Sequence, residues 1–231
     1  MEASAPSRAG RGGPRPRAPF LLLTLLAGAL NAISFLALGG VFVSVMTANL
    51  ALVGIAVGGS DPWLAANSVV ALTGYIAGVL LGARYREHRE RESRPALRGL
   101  LGGEMLLLCG VLAGWFAADG SPPAALRTVL LGAAALAMGC QSATIRATAP
   151  PGVSTTYMTG LLTAVLTDVL ARRRPDWSRA ALLLAIPAGA ALGALAVGTL
   201  RTAAPLLPVV LLAAVLVLPT ARLDPPGHPE T

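Results

Sequence analysis

The chain has 231 residues, 55% hydrophobic and only 13% charged, with a mean hydropathy of +0.68. A soluble domain carries about 25% charged residues, so this composition excludes a soluble globular protein and points to an integral membrane protein. The net charge of +7 comes wholly from arginine, because the chain contains no lysine. No basic stripe with interleaved aromatics accompanies it, so the charge is read as membrane topology and no nucleic-acid partner is expected.

Residues 1–19 are rich in Arg, Pro, Gly and Ala, with Glu2 as the one acid, and are expected to form a disordered arm. Arg15, Arg17, the FLLLTLL run and Ala27-Gly28-Ala29 also imitate a cleavable signal peptide, but apolar sequence continues past residue 29. That continuity favours a retained first helix. Hydropathy predicts eight apolar segments, near 20–38, 41–58, 64–83, 99–117, 124–145, 154–171, 179–200 and 203–219. The expected fold is therefore all-α and polytopic, with a membrane domain over 20–219 and the lipid bilayer as its first partner. Polar connections are expected at 59–63, 84–98 and 172–178, and the Pro-rich tail 220–231 is expected to be loose.

One phrase is written twice. Residues 40–50 read GVFVSVMTANL and residues 152–162 read GVSTTYMTGLL. Gly40/Gly152, Val41/Val153, Met46/Met158, Thr47/Thr159 and Leu50/Leu162 coincide at one constant offset, and Ser44 against Thr156 adds a hydroxyl match. An Ala-, Val-, Leu- and Gly-rich chain matches itself often. Met and Thr are scarcer, so the Met-Thr pair carries most of the signal. Internal duplication in membrane proteins is characteristic of transporters, whose sites lie where the repeats meet.

Arginine counting sharpens this. The basic regions are the arm, 84–98 and 172–179, and three apolar segments separate each neighbouring pair. If every segment crossed, neighbouring basic regions would face opposite sides, against the positive-inside tendency. The conflict disappears if 41–58 and 154–171, the two segments with the repeated phrase, enter and return. Each follows a helix breaker, Gly39-Gly40 in one case and Pro150-Pro151-Gly152 in the other. Six helices then cross, 16 of 18 arginines fall inside, and both termini are cytoplasmic. Repeat one (about 20–117) and repeat two (about 124–219) become inverted copies. The alternative is that both special segments simply cross, which 18 residues at about 1.5 Å each would permit.

Polar residues at membrane depth are the candidate site. Asn31 and Ser34 lie one turn apart in the first helix, and Gln141 and Ser142 hold a similar place before the second phrase. Aligning Asn31 with Gln141 needs a two-residue gap. Such groups either bind a polar solute or bond between helices. Thr47 and Asn49 sit in the first special segment. Thr156, Thr159, Thr163 and Thr167 form a stripe in the second, which either lines a polar path or bonds its own helix carbonyls. Gly39, Gly40, Gly152 and Gly160 are read as helix-break or packing positions. Glu104, in GLLGGEMLLLC, stands well inside the fourth segment. A carboxyl there suits proton coupling, unless it pairs with an arginine or snorkels. Gly102 and Gly103 beside it would let a neighbouring helix approach closely. Asp168 and Arg172, one helical turn apart, suit a helix-end ion pair.

No nucleophile–base pair, phosphate loop or metal-ligand spacing is visible, so no enzyme activity, cofactor or metal is expected. Cys109 and Cys140 lie in apolar segments, and His88 and His228 have no chemical partner in the sequence.

The stretch from Ala27 to Asn49, AGALNAISFLALGGVFVSVMTAN, resembles the first signature of the YoaK family of bacterial membrane proteins of unknown function. Met138–Ala143 (MGCQSA) with Val153–Gly160 (VSTTYMTG) resembles the second. The family's usual aspartate is Asn31 here, and its usual glycine is Ala48. The resemblance implies a multi-pass protein of the bacterial plasma membrane without supplying a substrate. The expected function is that of a small-solute transporter with its site between the two Met-Thr segments, using Asn31, Thr47, Asn49, Gln141 and Thr159. The alternative is a membrane scaffold or sensor that docks a partner protein on its basic loop. Small residues on many helix faces also allow a homodimer.

Overall fold

A computed structural model describes residues 18–92, 96–148, 158–172 and 177–218. The arm up to residue 17, Gly152, Thr156 and the tail from 219 lie outside the described residues. Eight α-helices carry the fold: α1 (Ala18–Ile33), α2 (Met46–Gly58), α3 (Pro62–Arg91), α4 (Leu97–Phe116), α5 (Ala124–Thr148), α6 (Met158–Arg172), α7 (Trp177–Thr199) and α8 (Leu206–Val217). A π-helical turn, Ser34–Gly39, extends α1, and a 3₁₀ turn, Arg201–Ala203, precedes α8. The described residues are all-α.

Five helices are long and apolar enough to cross a membrane: α1 with its π turn, α3, α4, α5 and α7. Two shorter apolar helical stretches, Met46–Gly58 and Arg201–Val217, accompany them among the described residues. At about 1.5 Å per residue, α2 reaches only about 20 Å, against a hydrocarbon core of about 30 Å.

Two departures from the sequence reading have local causes. The expected connection at 84–98 is helical through Arg91, because opposite charges one turn apart pair along it, Arg86 with Glu90 at 3.2 Å and Arg91 with Glu87. The first special segment, expected to begin at 41, becomes helical only at Met46, because side chains capture the backbone of residues 41–44.

Helix starts and stops follow the sequence. Asp61 accepts a hydrogen bond from the Leu64 N–H at 3.0 Å and Pro62 opens the first turn, which together start α3. Gly39 and Gly40 have φ of +147° and +73°, conformations that end the π turn and that side chains disfavour.

Packing defines two tight seams. In one, α3 and α5 run parallel: Gly74 lies against Gly132, Gly78 against Leu136, and Gly82 against Ala143. In the other, α1 and α7 run parallel: Gly189 lies against Leu25 and Gly193 against Ala29. Helix α4 packs on α5 and α8, α8 on α1, α2 on α3, and α6 on α7. The end of α4 is tied to the start of α8. The Trp115 indole donates to the Arg201 carbonyl at 2.8 Å, and Arg201 Nε donates to the Gly120 carbonyl at 2.9 Å. The core runs through this bundle on Leu23, Leu26, Leu30, Leu38, Leu101, Leu108, Trp115, Leu131, Met138 and Leu212.

Candidate functional site

The chain from Gly40 to Val45 leaves the end of α1 and runs back along it without helical bonding, before α2 turns the chain outward again. Depth is fixed at both ends. Ser44 is bonded to Asn31, about two turns before the end of the α1–π unit. Gly39 lies against Asn67, in the second turn of α3. The end of α1 and the start of α3 are therefore on one side of the bundle, and the segment between them reaches about two turns back along α1.

Backbone without helical bonds is tolerated at such depth only if protein groups satisfy it. Three side chains do so. Asn31 Oδ1 accepts from the Val43 and Ser44 N–H groups, both at 3.0 Å, while its Nδ2 donates to Ser44 Oγ at 2.7 Å. The Ser34 hydroxyl donates to the Val41 carbonyl at 2.8 Å. Asn49, from the first turn of α2, accepts from the Phe42 N–H at 3.0 Å and donates to the Phe42 carbonyl at 2.5 Å. Phe42 stacks on Phe35, with ring centroids 5.1 Å apart. Asn31, Ser34, Ser44 and Asn49 are all buried, so the amides of Asn31 and Asn49 bond the entering segment.

The other sequence candidates stand elsewhere. Thr47 is exposed on the first turn of α2, and Thr159 is exposed on the first turn of α6. These helices pack on α3 and α7 respectively. Gln141 is on α5, where its Nε2 donates to the Leu23 carbonyl of α1 at 3.0 Å, and its Oε1 has no partner among the described residues. Gly160 lies half-buried in the first turn of α6. The hydroxyls of Thr163 and Thr167 donate to the carbonyls of Thr159 and Thr163, each at 3.0 Å, so these two bond their own helix. The side chains of Asp168 and Arg172 are outside the described residues.

Glu104 is fully buried on α4, and neither carboxylate oxygen has a partner among the described residues. The sequence expectation for its neighbours fails. A Cβ on Gly102 or Gly103 would meet nothing within 4 Å, so neither serves a close helix approach. The glycines that do so are in α1, α3, α5 and α7. Sequence reasoning also misses Asn67 and Ser68, both buried in α3. The available signal is an Asn-Ser pair inside an apolar run. The Ser68 hydroxyl has no partner among the described residues, while the Asn67 amide points at the Gly39 carbonyl, 3.5 Å away.

Comparison with known proteins gives this architecture a family. The curated relative "UPF0700 transmembrane protein YoaK" of Bacillus subtilis (strain 168) is 32% identical over 152 residues, which is 65% of this chain. The matched region spans 66% of that relative's length. No solved structure matches the chain. The sequence profile of the family described as "Protein of unknown function (DUF1275)" matches residues 20–218. The chain is a multi-pass transmembrane member of this DUF1275, YoaK-type family.

Proposed function

We propose that the protein is a small-solute transporter of the bacterial plasma membrane, built from two inverted repeats. The observation that carries this reading is a correspondence between the two glycine seams. Gly28 of α1 lies against Ile186 and Ala190 of α7, and Gly139 of α5 lies against Tyr75 and Val79 of α3. Gly189 meets Leu25, and Gly78 meets Leu136. Gly193 meets Ala29, and Gly82 meets Cys140. One constant shift along the chain relates every pair of contacts. It carries Gly28 to Gly139, Leu25 to Leu136 and Ala29 to Cys140 on one side of the seams. On the other side the same shift carries Tyr75 to Ile186, Gly78 to Gly189 and Gly82 to Gly193.

Exchanging α1 with α5, α2 with α6, α3 with α7 and α4 with α8 also carries the main helix pairings onto one another. The α1–α7 seam becomes α5–α3, α4–α5 becomes α8–α1, and α2–α3 becomes α6–α7. Direction supports inversion. Helices α1 and α3 run oppositely, α7 runs with α1, and α5 runs with α3. The connection through α2 thus starts and ends on one face, and the connection through α6 on the other. Placing the arginine-rich regions inside makes both termini cytoplasmic. Inverted repeats with short or broken helices at their centres place solutes near the midplane and permit alternating access. Helix α2 begins at Met46-Thr47, and α6 carries the matching Met158-Thr159. In this reading Thr47, Thr159 and Gln141 contact solute, and Asn31 and Asn49 are positioning residues that shape the entering segment.

Topology is the first check. With Cys109 and Cys140 replaced, single cysteines at Arg91 and Trp177 are expected to label from the same, cytoplasmic side of intact cells. Labelling from opposite sides would remove the inverted arrangement. Transport itself is tested by mass-spectrometric comparison of the medium around cells with and without the protein. A solute whose uptake or release depends on the protein, and falls at least several-fold in Thr47→Ala and Thr159→Ala at equal folded protein, is the expected result. An unchanged medium would overturn transport and favour partner docking on the charged end of α3.

A further inference from the structure

We propose that the Glu104 carboxyl is a proton-binding site, through which the protein exchanges a proton as its helices open and close. The carboxyl is 0% exposed, on a helix packed between α5 and α8, and both its oxygens lack hydrogen-bond partners among the described residues. A buried ion is tolerated when it is paired and hydrogen-bonded. Here the described surroundings supply no such partner. Along α1 and α8 there is no titratable side chain at all. On α5 the electrostatic neighbour is the Cys140 thiol, which donates to the Gly78 carbonyl at 3.4 Å. Arg127 is held over the Trp63 ring, 6.0 Å from its centre, and Arg146 is exposed near the end of α5. Arg98, on the helix that carries Glu104, is exposed. From α3, Tyr85 reaches Gly99 near the start of α4.

One further observation points to a ligand rather than to packing. The shift that relates the two seams carries Glu104 to Val215 of α8, which is apolar and 1% exposed. The same place in the other half is thus filled by a hydrocarbon side chain, and packing does not require a carboxyl there. A proton is the ligand that a lone carboxyl surrounded by apolar helices accommodates at least cost, because it removes the charge. The site stands on its own geometry, whereas its use as a coupling ion rests on the transport reading.

The test is covalent labelling of the full-length protein in lipid with dicyclohexylcarbodiimide, an apolar reagent that adds to protonated carboxyls as an N-acylurea. The expected result is an adduct on the peptide containing Glu104 that declines as pH is raised and is absent in Glu104→Gln. Glu104→Asp is expected to restore labelling. No adduct at Glu104 in folded wild-type protein at any pH, or labelling indifferent to pH, would overturn the site. The assay needs no solute. An adduct with an unchanged medium defeats transport and leaves the proton site, whereas solute flux with an unlabelled Glu104 defeats the proton site alone. Glu104→Val, which copies Val215, is expected to remain folded and to lose the adduct.

Discussion

Asn31→Ala is expected to be among the most damaging single substitutions in this protein, and Asn31→Asp much milder. The Asn31 amide satisfies two backbone N–H groups and one hydroxyl of the entering segment, at 2.7 to 3.0 Å. Alanine leaves both N–H groups buried without their acceptor. An unsatisfied buried donor costs about 1–3 kcal/mol, so the loss from two of them is expected to be about 2–6 kcal/mol. Aspartate keeps an acceptor for both N–H groups, and the Ser44 hydroxyl rotates to donate to it. Ser34→Ala removes one bond, to the Val41 carbonyl, and is expected to cost about 1 kcal/mol. Thermal unfolding of the purified variants in detergent should give this order, alanine at 31 worst. An Asn31→Ala protein that melts with the wild type would show that the entering segment does not depend on this side chain.

What the sequence could and could not disclose follows from the range of the interactions involved. Helix positions depend on local hydropathy, so each of the eight apolar segments overlaps one of the described helices. The late start of α2 is foreshadowed by Gly39-Gly40, whose positive φ angles end the helix before it. The role of Asn31 is not readable, because an amide that binds solute and an amide that binds backbone look the same until the segment that follows is seen folded back beside it. Glu104 is readable as an anomaly, since a carboxylate in an apolar run is unusual in any fold. The continuation of α3 to Arg91 depends on the spacing of charges. The sequence contains that spacing, but polarity alone presents the stretch as a connection.

The repeat illustrates the same limit from the other side. Its loudest sequence signal runs from Met46 to Met158, whereas the seam glycines run from Gly28 to Gly139, an offset shorter by a single position. At the seam offset Asn31 falls on Ser142, not on the Gln141 that a two-residue gap suggests. Ser142 is buried and accepts a hydrogen bond from the Tyr75 hydroxyl at 2.8 Å. Glycines are common in this chain, 26 of 231 residues, so their displacement is invisible until contacts show which of them carry a seam.

The second large effect is expected at those seam glycines. Gly78→Ala, Gly139→Ala and Gly189→Ala each place a methyl against a backbone carbonyl of the facing helix: Leu136, Tyr75 and Leu25 respectively. Backbone within a helix cannot rotate aside as a side chain can, so the helices must separate along the seam. Overpacking of this kind costs about 1–3 kcal/mol and occasionally more, and close approach through small residues is what holds membrane helices together. Gly102→Ala and Gly103→Ala are the controls. They meet open space, and alanine gains up to about 1 kcal/mol of helix propensity over glycine. Melting in detergent and monodisperse yield should therefore fall for the three seam variants and hold or rise for the two controls. The proposed repeat makes Gly78 and Gly189 equivalent, so their losses should be similar in size. A large loss at one with none at the other would mean that the two seams are not equivalent, and that the duplicated architecture does not extend to how the halves are held together.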